Sequence, residues 1–171
     1  MSPTIQIRPE TLADQETVRS ILIAAFETSA EADLVDALRQ QAEPLVSLVA
    51  ADGGEVVGHI LFSPVTLSGH PDLQIMGLAP MAVAPDRQRH GIGSALVRAG
   101  LEACRALGVE AVVVLGHPDY YPRFGFVPST RFGITSEYDV PENVFLAQEL
   151  VPGALAGVSG TVQYHPAFQE L

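Results

Sequence analysis

The chain has 171 residues, 47% of them hydrophobic and 17% charged, which suits one compact domain with a sizeable core and excludes a disordered chain. Its net charge of −11 disfavours nucleic acid as a partner, because phosphate repulsion would have to be overcome locally. A single cysteine, Cys104, excludes an internal disulfide framework and points to a reducing, cytoplasmic setting.

Met1 to Glu10 carries a proline and charges where a signal peptide has its apolar core, and no run approaches the about 20 apolar residues that span a bilayer. Ile5 to Arg8 reads as a first strand. Leu12 to Phe26 reads as a helix with Val18, Ile21, Leu22 and Ala25 at helical spacing, and with Asp14 and Glu16 in the first turn, where the helix dipole favours acids. Glu31 to Gln40 follows as a second helix with Leu34, Val35 and Leu38 on one side. Leu45 to Ala51 and Glu55 to Leu67 pair as a hairpin around the turn signal Asp52-Gly53-Gly54. Leu73 to Val83 is the fourth strand, approached through Gly69-His70-Pro71. Ile92, Ala95, Leu96, Ala99, Ala103 and Leu107 then repeat at helical spacing, opposite a wetter side of Arg98, Glu102 and Arg105, with Gly108 as the stop. Ala111 to Leu115 is a short apolar run of the kind buried on both faces of a sheet, parallel to the fourth strand. Phe145 to Leu150 and Val158 to Tyr164, separated by the turn Val151-Pro152-Gly153, complete one α/β domain spanning residues 1–171.

The stretch Leu78 to Gly93 carries the strongest functional signal. It joins an apolar strand, a short turn and a helix opening on Gly91 and Gly93. The first N–H groups of a helix have no partners inside it, and the aligned peptide dipoles place about +0.5 charge there, so the end attracts an anion. Glycine lets a phosphate oxygen approach the main chain closely. A Walker loop would need a lysine, and the chain has none. A dinucleotide fingerprint would need a third glycine where Leu96 stands. A glycine-rich turn without a ligand is the competing reading.

Gln88-Arg89-His90-Gly91-Ile92-Gly93 resembles the Q/R-x-x-G-x-G/A signature of the GNAT superfamily of acyl-CoA-dependent N-acyltransferases, and Met81-Ala82-Val83-Ala84-Pro85 resembles its fourth strand. About 30 residues on, Tyr121-Pro122-Arg123-Phe124-Gly125-Phe126 is similar to the family's Y-x-x-x-G-F segment. Gly116 to Phe126 as a whole resembles the YhbS-like bacterial branch. The resemblance is closest over Leu78 to Pro128, extends into the N-terminal half and thins after Arg131. It implies a mixed, mostly antiparallel central sheet of about six to seven strands flanked by helices, with parallel fourth and fifth strands that splay to admit pantetheine. It also implies acetyl-CoA as cosubstrate, held by Met81, Ala82 and Val83 along the pantetheine and by Gln88, Arg89, His90, Gly91, Ile92, Gly93 and Ser94 around the pyrophosphate. Pro80 and Pro85 cannot donate to a ladder and fit a fourth strand that leaves regular pairing.

The implied chemistry is direct transfer of an acetyl group to a primary amine of a small molecule or peptide, with Tyr121 as proton donor to the departing sulfur. A tyrosine, with a reference pKa of about 10, holds its proton at neutral pH; Tyr120 is the competing choice. The chain departs from the family pattern in having Val114 where many relatives carry an Asn, and its fifth strand offers no carboxylate base. The base candidates are Glu27, Glu31, His59 and His117, or a chain of waters. Arg87 and Arg89 flank the phosphate turn and suit CoA phosphates, or are simply solvated. The acidic surplus favours a cationic amine. Five scattered histidines argue against a metal site. A noncatalytic acyl-CoA-binding sensor or partner module of the same fold is the alternative function. An edge strand at Val158 to Tyr164 offers a surface for a homodimer, with a monomer as the other choice.

Overall fold

Residues 5–170 are described by a computed structural model of the chain. Strand β1 (Ile5–Pro9) is followed by α1 (Gln15–Phe26), α2 (Ala30–Gln41), β2 (Val46–Asp52), β3 (Glu55–Leu67) and β4 (Ile75–Val83). Then come α3 (Ile92–Ala106), β5 (Ala111–Leu115), the short strands β6 (Val127–Pro128) and β7 (Ile134–Ser136), β8 (Phe145–Glu149) and β9 (Gly160–Gln163). The main sheet runs β1-β2-β3-β4-β5-β8-β6, antiparallel except between β4 and β5. With β9 joined to β3 and β7 to β9 off this path, it is the mixed sheet that the resemblance implies, with β6 and β7 added. Two and three residues long respectively, those strands are too short to leave a periodic pattern.

Each face of the sheet carries its own core. On one side α1 and α2 bury Val18, Leu22, Val35 and Leu38 against Val49 and Leu61. On the other, α3 buries Leu96, Val97, Leu101 and Cys104 against Ile60, Phe62, Met76 and Val112. The buried seam of α3 differs from the expected one. It runs through Ile92, Leu96, Val97, Gly100, Leu101 and Cys104, and Leu107 is 55% exposed. Gly100 is the reason: the Phe62 ring fills the notch where a β-carbon would stand only 2.2 Å from the ring, so the helix turns its glycine side inward.

Two further expectations are corrected. Leu12–Asp14 is a 3-10 turn outside α1, with Leu12 85% exposed. Asp14 is pinned there, because it takes a bidentate contact from Arg8 (2.7 and 3.0 Å) and a hydrogen bond from the Thr11 N–H. Strand β9 is not a free edge. It pairs with the far end of β3 on one side and in parallel with β7 on the other, so the surface offered for a homodimer is already occupied.

The feature that makes a site is the parting of β4 from β5. They pair only from Ile75–Ala111 to Gly77–Val113. Strand β5 stays with β8 over its whole length, Ala111 to Leu115 against Glu149 to Phe145. Strand β4 stays with β3, but Ala79 and Pro80 together face the single residue Leu61, a bulge that bends β4 at a residue without an N–H. Each strand follows its other partner. From Leu78 onward, β4 therefore presents an edge that β5 does not pair.

Candidate active site

Two cavities open along this unpaired part of β4. The first, about 570 Å³, runs along Met81, Ala82 and Val83 to the start of α3 and is closed by Phe26, Tyr120 and Arg123. The second, about 740 Å³, runs along Leu78 to Met81 and is walled by Phe26, Leu34, Leu115 and Val144. Phe26 and Met81 line both, so the two cavities meet at the bulge.

The first cavity suits an extended anionic ligand. Gly91 caps α3 at φ 81°, with no side chain to satisfy the helix, and the first intrahelical bond runs from the Ala95 N–H to the Gly91 carbonyl. The N–H groups of Ile92, Gly93 and Ser94 are thus left to whatever occupies the cavity. The first turn of α3 contains no acidic residue, unlike those of α1 and α2. An acid there would compete with an anionic ligand for the same N–H groups. The approach is shaped by Arg89 at φ 68° and by the Gln88 amide, which donates to the Val83 carbonyl at 3.0 Å. Open main-chain edge, glycine cradle and uncapped helix start together fit a pantetheine and pyrophosphate.

Every cofactor-binding residue expected from the sequence lines this cavity except His90, which is exposed and outside it. Both candidate arginines line the cavity, but their side chains are held differently. Arg87 is drawn to the β2–β3 turn, where it pairs with Asp52 and, at 3.5 Å, with Glu55. Arg89 is exposed and lines the cavity.

The adjacent tyrosines point to different cavities. Their rings meet edge to face at 5.0 Å, a geometry that turns one away from the other. Tyr120 lines the first cavity; its hydroxyl lies 3.1 Å from Ser94 Oγ, and the Arg123 guanidinium covers its ring at 4.7 Å. Tyr121 lines the second cavity and is 8% exposed. Burial, with a smaller contribution from Tyr120, pushes its phenol up to about 12, so it carries its proton throughout the neutral range. Gly116 makes this possible, since a β-carbon there would stand 2.2 Å from the Tyr121 ring.

Of the base candidates, the structure brings Glu31 and His117 into the second cavity and leaves two out. Glu27 ends α1 in a left-handed conformation, exposed at φ 62°. His59 is fully buried, its Nε2 2.9 Å from Ser47 Oγ and 3.6 Å from Glu10, which in turn is gripped by Arg39 at 2.6 and 3.0 Å. Burial and, secondarily, the Arg39 charge drive the imidazole down to about 3, so it stays neutral. Val114 is buried in the core on the α3 side. The sequence reading did not place Phe26 and Arg123 at the first cavity, and it weighed Tyr120 only as the rival to Tyr121. An apolar residue at a helix end and an arginine three residues after a tyrosine were the available signals.

Among the described residues, no group of three or more His, Cys, Asp or Glu could hold a metal, and no helix is long and apolar enough to cross a membrane.

Known proteins resemble both the sequence and this architecture. The acetyltransferase (GNAT) family pattern matches residues 15–126. The uncharacterized N-acetyltransferase YhbS of Escherichia coli (strain K12) is 39% identical over 163 residues, spanning 95% of this chain and 97% of the relative. The crystal structure of E. coli YhbS in complex with CoA superposes with a TM-score of 0.91 at 37% identity, covering 99% of this chain and 94% of that one. A GNAT family acetyltransferase from Brucella melitensis, in complex with acetyl-CoA, gives a TM-score of 0.80 at 36% identity, over 96% and 97% of the two chains. With the family pattern running from α1 through both motifs and a relative matching almost end to end, the chain belongs to the GNAT family of acetyltransferases.

Proposed function

We propose that the chain transfers an acetyl group from acetyl-CoA to a primary amine by direct attack, with the donor in the first cavity and the acceptor in the second. The observation that carries this reading is the meeting of the two cavities at Phe26 and Met81, beside the unpaired edge of β4. Main-chain groups of Met81, Ala82 and Val83 hold the pantetheine, and the N–H groups at the start of α3 hold the pyrophosphate. Bound acetyl-CoA supplies the thioester carbonyl, and the relatives with CoA or acetyl-CoA support that choice of donor.

The balance is simple. An ammonium first loses one proton to give the neutral amine; the amine nitrogen forms the C–N bond, the C–S bond breaks, and nitrogen gives up a second proton. The sulfur leaves as a thiol, so R–NH3+ and acetyl-CoA give the acetamide, CoA-SH and one H+. Tyr121 donates its phenolic proton toward the departing sulfur and regains one from the nitrogen side. Its raised pKa supports the protonated starting state. Glu31 and His117, which line the acceptor cavity, or water relayed between them, take the amine's proton. The single cysteine, Cys104, is buried in the core, and its thiol is pushed up to about 12 by burial, which keeps it out of the chemistry and suits a cytoplasmic setting.

The test is release of free CoA thiol when acetyl-CoA is mixed with a panel of amines. Tyr121→Phe is expected to lower kcat by about 100-fold, within the range for a general acid, while CoA affinity stays within twofold. Undiminished turnover in that variant would remove Tyr121 as the donor. CoA binding without turnover across the panel would favour a noncatalytic acyl-CoA-binding module.

A further inference from the structure

Resting on the reading of an amine acceptor, we propose that the acceptor is a monoamine with an apolar body, its ammonium held by Glu31 and its hydrocarbon laid against Phe26, Leu34, Leu78, Leu115 and Val144. The walls of the acceptor cavity set the chemistry. Among the described residues its ionisable side chains are Glu31, His117 and Tyr121, and no arginine lines it. Phe26 is 39% exposed and Leu115 37% exposed, and both wall this cavity, so an apolar occupant would cover side chains that the fold leaves wet. Leu34 and Leu78, at 4% and 3%, form a dry floor behind them.

Glu31 supplies the charge complement. It stands in the first turn of α2, where the helix dipole favours a carboxylate. Its Oε1 accepts from the Thr28 hydroxyl at 2.9 Å, which fixes the head group, and its Oε2 has no partner among the described residues. An ammonium can occupy that second oxygen. A polyamine or a sugar-based amine would bring further charges and hydroxyls against mostly apolar walls that strip their water and, beyond Glu31, offer only His117 and Tyr121 in its place.

The experiment compares kcat/KM for n-propylamine, n-butylamine, n-pentylamine, n-hexylamine, spermidine and glycylglycine on the full chain with acetyl-CoA, reading free thiol. Calorimetric titration of n-hexylamine into the CoA complex reads binding without turnover. Each buried methylene is expected to raise kcat/KM about fourfold, about 60-fold from propyl to hexyl. Glu31→Gln keeps the acceptor for Thr28 but loses the charge, and should weaken n-hexylamine binding about 10- to 100-fold, with CoA affinity within twofold. Leu115→Ser should flatten the chain-length slope. A flat slope, a higher kcat/KM for spermidine or glycylglycine, or unchanged n-hexylamine affinity in Glu31→Gln would overturn the inference and leave amine acetylation standing. Tight CoA binding with no amine turned over would overturn amine acetylation and the inference with it.

Discussion

Replacing Gly116 with alanine tests whether Tyr121 acts through its position. The added β-carbon would stand 2.2 Å from Cε2 and 2.7 Å from Cδ2 of the Tyr121 ring, so the ring must retreat by about 1.2 Å to reach the 3.4 Å at which ordinary contact begins. The retreat is not free. Tyr120, Phe124 and Phe126 surround the ring at centroid distances of 5.0, 6.4 and 5.8 Å, so it tilts and carries its hydroxyl away from the acceptor cavity. A displacement of about 1 Å at a reacting group costs on the order of 100-fold in rate, and overpacking of this size costs about 1–3 kcal/mol in stability. The assay is kcat at saturating acetyl-CoA, with KM for acetyl-CoA and a urea titration alongside. Gly116→Ala should lower kcat by on the order of 100-fold, leave KM for acetyl-CoA near the parent value, and lose little further activity when combined with Tyr121→Phe, because both changes remove the same contact. If Gly116→Ala keeps kcat within twofold while Tyr121→Phe is impaired, or if it costs the same factor in the Phe background, the positional argument fails.

Two further predictions concern the donor loop and the buried histidine. Gly91→Val meets no protein atom within 4 Å but must hold φ 81°, so it should cost about 1–3 kcal/mol of backbone strain and weaken CoA binding at least tenfold by filling the phosphate's space; calorimetric affinity equal to the parent would refute this. His59 titrates near 6.5 in the unfolded chain but near 3 when folded. As pH falls below 6.5 the unfolded state therefore takes up the proton first, and stability should decline by up to about 1.4 kcal/mol per pH unit toward pH 3. Asp14, held well below the usual carboxylate range by its hydrogen bonds to Arg8, adds a separate loss below about pH 3.9, as the unfolded carboxyl protonates. Urea titrations of His59→Gln should flatten the limb from pH 6.5 to 4.5 and retain the acid limb; an unchanged upper limb would show that His59 does not cause it.

The parts of the site made from local backbone were legible in the sequence. The bounds of β3 and β5 agree with the residue pattern, because a hairpin turn signal and a short apolar run are properties of neighbours. The glycine turn that opens α3 was legible for the same reason: two glycines and a helical repeat lie within one contiguous stretch. What failed depended on distant packing. The seam of α3 turned because Phe62, on β3, needed the notch at Gly100, and a glycine carries no weight in an apolar count. Only the family resemblance favoured Tyr121 over its identical neighbour Tyr120, since their directions are set by Ser94 and Gly116. His59 looked like a strand histidine near the site, and only α2 with its Arg39–Glu10 pair shows it sealed away.

The same contrast explains why the donor is easier to identify than the acceptor. On the proposed reading, the donor cavity draws mainly on one segment, Met81 to Ser94, joined by Tyr120 with Arg123 and by Ala25 with Phe26 at the end of α1, and it works chiefly through main-chain groups that most side-chain changes leave intact. On the same reading, the acceptor cavity draws Phe26 to Leu34, Leu78 to Met81, Leu115 to Tyr121, and Val140 with Val144 from four parts of the chain, and its selectivity rests on their side chains. A substitution at Leu34, Leu115 or Val144 reshapes the acceptor cavity without moving a β4 carbonyl or an α3 N–H. Donor affinity and acceptor choice are therefore separable in this fold, and acceptor preference should follow the acceptor walls while the affinity for CoA stays constant.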